Sequence, residues 1–141
     1  MGVFSKMFGS EPRYPELGPD TEAAGRLEAI RSNLEELAKD ISDPLEVIPG
    51  DDGAYVFIGK PPKKFGIAWI EGDEVKSFKS MMAEHNVTAQ TLNRVSDELR
   101  EAYQRHQETE RFRTTIGQRD IVITPCAPLE QEVRQILASM H

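Results

Sequence analysis

Cysteine is almost absent from this chain of 141 residues, in which Cys126 is the only one. A lone cysteine excludes an intramolecular disulfide, and it excludes the zinc and iron–sulfur sites that several cysteines build together. Histidine is nearly as scarce, and no two of His85, His106 and His141 have the spacing that places a pair of ligands on one helix face. The sequence therefore predicts no metal site and no cofactor.

Long apolar runs and the usual catalytic glycine patterns are also missing. No stretch approaches the roughly 20 apolar residues that cross a bilayer, so no transmembrane segment is expected. Residues 1–8 are too short for the apolar region of a secretory signal, which makes the cytoplasm the expected location. The chain lacks Gly-x-Ser-x-Gly, Gly-x-Gly-x-x-Gly and Gly-Lys-Ser/Thr, so the serine hydrolase and phosphate-loop classes are excluded.

Positive charge is in short supply. Lys and Arg number 17 against 24 Asp and Glu, giving a net charge of −7. The first 50 residues alone carry five basic and ten acidic side chains, so most of the excess lies there. A field of this sign repels phosphate backbones, and the sequence therefore predicts that the protein does not bind nucleic acid.

Residues 1–19 are predicted to form an extended tail and linker ahead of a single domain at residues 20–141. The linker at residues 9–20 contains three prolines and no apolar periodicity. Before it lies a short apolar tip, formed by Val3, Phe4, Met7 and Phe8. This tip is either a frayed terminus or a docking peptide for a partner or a second subunit.

A helical stripe follows the linker. Apolar side chains recur at alternating spacings of 3 and 4 residues, which predicts one amphipathic helix packed on a core. They are Leu27, Ile30, Leu34, Leu37 and Ile41. Asp43-Pro44 should end this helix, because the residue before proline avoids helical backbone angles.

Apolar strands come next. Leu45–Ile48 is a predicted short strand, and Ala54–Gly59 with Phe65–Ile70 is a predicted antiparallel hairpin. Both hairpin strands are apolar at consecutive positions, so we expect both faces of the sheet to be covered. Helices would cover one face, and a second helix layer or another subunit would cover the other.

The second half of the chain predicts a short helix, a long helix, a strand and a final helix. Val75, Phe78, Met81 and Met82 favour the short helix. The long helix is expected to begin after Thr88 and to run to about Arg113, ahead of Gly117. The strand covers Asp120–Thr124, and Pro128 opens the final helix.

This order predicts an α+β fold, with a mostly antiparallel sheet of three to four strands packed by three to four helices. The element order and the acidic balance resemble those of type III secretion chaperone-like dimers. The resemblance is one of fold, and no motif carries it.

Two groups of residues are candidate sites. Lys60, Lys63 and Lys64 form a local positive cluster on the hairpin. Aromatic side chains flank it in sequence, namely Tyr55, Phe57, Phe65 and Trp69. Such a surface could recognise an acidic peptide, a nucleotide or an anionic lipid, or it could be a solvated loop beside core aromatics.

Cys126 is the second candidate. It lies between a strand and a helix N-terminus, where backbone N–H groups can stabilise a thiolate. No neighbouring residue in the sequence offers a base for nucleophilic catalysis, so a buried structural cysteine is the alternative.

Because no reaction-specific motif is present, the sequence predicts a non-enzymatic protein-interaction module, adaptor or chaperone-like, that acts as a homodimer. Two alternatives stay open. One is a small-molecule or nucleotide sensor that uses the Lys60, Lys63 and Lys64 hairpin, and the other is a thiol-dependent enzyme at Cys126.

Overall fold

The computed structural model describes residues 14–140, in which five helices pack on one six-stranded sheet. The apolar tip predicted at the N-terminus, residues 9–13 of the predicted linker, and His141 lie outside the described residues. The elements in chain order are α1 (Glu22–Ala29), α2 (Arg31–Asp40), β1 (Leu45–Pro49), β2 (Gly53–Lys60), β3 (Lys64–Glu71), β4 (Glu74–Ser77), α3 (Phe78–His85), α4 (Ala89–Arg105), β5 (Phe112–Ile116), β6 (Arg119–Ile123) and α5 (Ala127–Ala138).

The strands are arranged in the order β4-β3-β2-β1-β6-β5. Neighbours are antiparallel except β1 and β6, which run parallel and align Glu46 with Val122. The predicted α+β class is confirmed, but the predicted number of strands and helices is too small and the sheet contains one parallel pair. The two strands that were not predicted are β4, whose Val75 was assigned to the short helix, and β5, whose first two residues were assigned to the end of the long helix.

Both faces of the β2–β3 hairpin are buried by helices of the same chain. On one face, Val56 and Ile70 belong to a core formed with α1 and α2. On the other face, Phe57 and Trp69 belong to a core formed with α3, α4 and α5. The expectation that both faces are covered is confirmed, and a second helix layer, rather than a second subunit, provides the cover.

The first predicted helix is two helices. Thr21 accepts a hydrogen bond from the backbone N–H of Ala24 and so begins α1, as an N-cap residue does. The helical path is interrupted at Ile30, whose backbone angles are φ −117° and ψ 17°. Leu27 and Leu34, on either side of the break, are both buried. A periodic stripe reports which side chains face the core, and it does not report a change of axis between them.

The segment after the hairpin begins as a strand. Val75 pairs with Ile70 in the sheet, which corrects the prediction that it lies in a helix. The helix α3 starts only after Ser77, which forms a reciprocal capping box with Ser80. Asn86 ends it in the left-handed conformation at φ 56°.

The long helix α4 is capped by Thr88, as predicted, but it ends at Arg105 and does not reach Arg113. Arg113 lies instead in β5. Gly117 and Gln118 have φ values of 56° and 71° and form the turn between β5 and β6. This glycine therefore serves a tight hairpin, which requires positive φ at both central positions, and it does not end a helix.

The first described residues pair with the edge of the sheet. Leu17 donates its backbone N–H to Arg113 O at 2.8 Å, and the N–H of Arg113 donates to Pro15 O at 2.9 Å. The outer edge of β5 is thus partly covered by the chain itself. Within residues 14–140, no helix is long and apolar enough to cross a membrane.

Candidate functional site

The lysine cluster and the aromatic residues of the hairpin do not form one site. Lys60 pairs with Lys64 at the tip of the hairpin, whereas Tyr55 pairs with Trp69 five positions along the strand. That offset is about 16 Å at the usual rise of a strand. Phe57 is fully buried, with its ring centroid 5.3 Å from that of Phe65.

The exposed Lys63 lies on the turn at the tip, away from Trp69. The structure therefore separates the positive cluster from Trp69, which was predicted to belong to the same surface.

Tyr55 and Trp69 line a pocket of about 280 Å³ together with Lys76 and Arg134. Burial, followed by the nearby carboxylate of Glu130, raises the pKa of Tyr55 to about 12, since a tyrosinate would be poorly solvated and repelled there. Two aromatic residues of the predicted site thus line a cavity. The cations beside them are Lys76 and Arg134, and not the predicted lysines of the hairpin tip.

Cys126 occupies the junction between β6 and α5. It is the N-cap residue of α5, with φ −130° and ψ 100°, and its carbonyl accepts a hydrogen bond from the N–H of Glu130. The side chain is half-buried and packs against the core that α4 and α5 share. Its sulfur therefore lies near the positive end of a helix of 12 residues.

A histidine that is distant in sequence reaches this sulfur. His106 is the C-cap residue of α4, and its Nδ1 lies 3.9 Å from Cys126 Sγ. The other ring nitrogen, Nε2, is hydrogen-bonded to Oε2 of Glu132, which lies six residues after the cysteine, in α5. Glu132 also accepts a hydrogen bond from Arg105 Nε at 3.0 Å. Cysteine, histidine and glutamate thus form a linear array, with an arginine holding the carboxylate in place.

Glu132 is held as a carboxylate. Its partial burial acts to raise the pKa, but the hydrogen bonds from His106 and Arg105 outweigh burial and lower the pKa of Glu132 below its usual value. The group that orients the imidazole therefore keeps its negative charge to lower pH than an ordinary glutamate would.

A pocket of about 320 Å³ opens beside the thiol. It lies where the parallel strands β1 and β6 end, with Pro49 and Pro125 in its wall. Phe112 and Leu17 contribute apolar surface, and Cys126 lies at the boundary with α5. Ligands of open α/β sheets bind at the same place relative to parallel strands, outside their carboxyl ends. The imidazole of His106 is not part of this lining and approaches the sulfur from α4.

A buried polar network lies directly behind the array. The carboxylate of Glu46 accepts hydrogen bonds from Tyr103 Oη at 2.6 Å, Arg111 Nε at 2.9 Å and Thr124 Oγ1 at 2.5 Å. Tyr103 is one turn before His106, and Thr124 is two residues before the cysteine. Burial and the neighbouring carboxylate raise the pKa of Tyr103. The network thus ties α4 to β1 and β6 at the level of the thiol.

Two parts of this arrangement were missed in the sequence. The imidazole beside Cys126 belongs to His106, 20 positions away, and no local motif connects them. The signal available was that His106 continues the apolar stripe of α4 by one step of four, which places it on the core side of the helix. Glu46 carried a second signal, because a carboxylate in the middle of an apolar strand must find partners when buried.

In the part of the chain that the structure describes, no three or more His, Cys, Asp or Glu side chains are arranged so that together they could hold a metal ion. No known family, curated protein or solved structure matches this chain.

Proposed function

We propose that Cys126 is a reactive thiol and that the protein acts through thiol chemistry. The observation that supports this most directly is the array of Cys126, His106 and Glu132, in which sulfur, imidazole and carboxylate follow one another. A nucleophile next to a base that a third group orients is the general arrangement of nucleophilic catalysis. The sequence prediction of a non-enzymatic protein rested on the absence of a reaction-specific motif, and the lack of a base near Cys126 in the sequence was one part of that absence.

The orientation of the imidazole favours proton transfer from sulfur. Because Glu132 is a carboxylate, it accepts a hydrogen bond, and the proton of neutral His106 belongs on Nε2. Nδ1 then carries the lone pair and points to Cys126 Sγ. The thiol proton passes to Nδ1, and the resulting thiolate lies at the N-terminal end of α5, where the helix dipole stabilises negative charge.

The reaction class that follows is attack by the thiolate on an electrophile. Sγ forms a bond to the electrophilic atom, the bond to the leaving group breaks with its electron pair, and the imidazolium of His106 returns a proton to that group. The pocket of about 320 Å³ beside Cys126 suits a small, partly apolar electrophile.

Alkylation kinetics test this proposal. A reference thiol with a pKa of 8.5 is about 3 % ionised at pH 7, so a fully ionised thiolate can react up to roughly 30-fold faster than that reference. We expect iodoacetamide to modify the protein at pH 7 well above the rate of a free cysteine, and we expect His106→Gln to remove most of the excess. His85→Gln is the matched control and should leave the rate unchanged.

Glu132→Gln addresses the positioning role separately. Its amide can accept or donate, so it no longer fixes the tautomer of His106, and we expect an intermediate rate with a displaced pH profile. If the native protein alkylates like free cysteine and His106→Gln changes nothing, Cys126 is a structural residue and the proposal is wrong.

The other functional hypotheses remain proposals with altered support. A homodimeric protein-interaction module is no longer motivated by an uncovered sheet face, since helices of this chain cover both. The apolar tip that also motivated it lies outside the described residues, and the structure adds a sheet edge, that of β4, which has no partner among residues 14–140. The sensor hypothesis keeps Tyr55 and Trp69 in a pocket but loses the lysines of the hairpin tip.

A cytoplasmic location is part of the thiol proposal, because a lone thiol stays reduced there.

A further inference from the structure

One edge of the sheet has no partner among residues 14–140. The strand β4 pairs with β3 on its inner side and is the last strand in the sheet. An edge strand presents unpaired backbone N–H and C=O groups that can pair with another chain. Val75 lies in the middle of this strand and is 42 % exposed, one of two large apolar side chains that are exposed in the described part of the protein.

The sequence of β4 is complementary to itself. When two copies of Glu74-Val75-Lys76 run antiparallel with Val75 opposite Val75, each Glu74 faces a Lys76 of the other copy. Opposite charges and apolar pairs directly across two strands are favourable, whereas like charges are not. A twofold axis through this position is also the symmetry that most homodimers use.

The faces of the strand agree with this register. Val75 lies across from Ile70 and Lys76 across from Trp69, so the apolar and the charged pair are on opposite faces of the sheet. Lys76 already donates to Glu71 at 2.7 Å. An ammonium group has three donors, so Lys76 can bind a second carboxylate without giving up the first.

We propose that two copies of this protein associate through their β4 strands, antiparallel about Val75, to form one continuous sheet. The inference does not depend on the thiol function, because Cys126 lies at the junction of β6 and α5, on the other side of β1, β2 and β3 from β4.

Sedimentation equilibrium of the full chain, from about 10 μM to about 1 mM, covers the range of weak association. We expect a monomer–dimer equilibrium that Val75→Lys abolishes, because this change sets two ammonium groups against each other at the axis. Met82→Lys is the matched control, since Met82 is 47 % exposed on α3 and the same charge is added outside the strand β4. It should leave the dimer intact.

Charge reversal tests the register. Glu74→Lys alone places lysines opposite one another and should weaken the dimer about tenfold. Adding Lys76→Glu restores opposite charges across the axis and should recover the affinity to within about threefold. It also keeps a cation near Glu71, because position 74 pairs with Glu71 in the sheet.

Cross-linking tests the axis itself. In a Cys126→Ala background, Val75→Cys places two cysteines directly opposite each other, within the distance that a disulfide spans. Asp73→Cys places them about 13 Å apart, too far for a bond. We expect rapid oxidation to a dimer for position 75 and not for position 73.

A monomer at every concentration would mean that the charges of β4 protect the edge from association, and the proposal would fail. A dimer that Met82→Lys disrupts as strongly as Val75→Lys, or that cross-links equally at positions 73 and 75, would place the interface elsewhere.

Discussion

Removing the carboxylate of Glu46 is the most severe single change that we expect in this protein. Its two oxygens accept hydrogen bonds from Tyr103, Arg111 and Thr124 at 2.5 to 2.9 Å. In Glu46→Ala the Arg111 side chain, only 7 % exposed, loses its counter-ion, and two buried hydroxyl groups lose their acceptor. Breaking a buried ion pair in this way costs about 3–5 kcal/mol. That is a fifth or more of the roughly 5–15 kcal/mol by which domains are stable.

Urea unfolding followed by circular dichroism measures the loss. With a slope of about 2 kcal/mol per molar urea, a loss of about 4 kcal/mol lowers the midpoint by about 2 M. The matched control is Glu98→Ala, which removes the Arg94–Glu98 ion pair on the exposed face of α4. Glu98 is 40 % exposed in that pair, and its removal should cost less than about 0.5 kcal/mol.

A second variant separates charge from packing. Replacing Glu46 and Arg111 together by leucine removes both charges, so most of the loss seen in Glu46→Ala should be recovered. If Glu46→Ala costs no more than Glu98→Ala, the buried network contributes no net stability and the reasoning fails.

Two further stability predictions concern the hairpin. The pKa of Tyr55 is about 12 in the folded protein and 10 in the unfolded chain, so its stabilising contribution is complete below pH 10 and is lost as the pH rises toward 12. The thermal midpoint should therefore fall less between pH 8 and pH 11 in Tyr55→Phe than in the native protein. Equal falls in the two proteins would contradict this. Gly53→Ala would place its Cβ 1.7 Å from Ile70 O. It should therefore lower the free energy of unfolding by about 3 kcal/mol or more, which urea unfolding measures. Gly66→Ala, with open space around its Cβ, is the control and should be neutral or slightly stabilising.

The elements that could be predicted are those whose pattern is local. The hairpin of β2 and β3, the Thr88 cap of α4 and the final helix all follow from neighbouring residues. Val75 was assigned to a helix because a strand of four residues is too short to show alternation. The end of α4 was placed too late because residues beyond it are held by distant contacts, such as that of Arg111 with Glu46 across 65 positions, which no local pattern reveals.

The same limit applies to the candidate site. Position and residue type singled out Cys126, because the junction of a strand and a helix is a local feature. His106 reaches it from the end of α4, and Glu132, in the second turn of α5, contacts His106. Their approach depends on how α4 packs against α5, and no spacing within either helix encodes that packing.

The two edges of the sheet differ, because the backbone contact between Pro15–Leu17 and Arg113 covers part of one of them. Exposed strand edges are how sheets grow from chain to chain, and fibres need two of them on every molecule. The edge at β5 is already partly occupied by residues 15–17, and among residues 14–140 only the edge at β4 lacks a partner along its length. Edge-to-edge association of the sheets is therefore expected to stop once two copies have paired, which gives a dimer and not a filament.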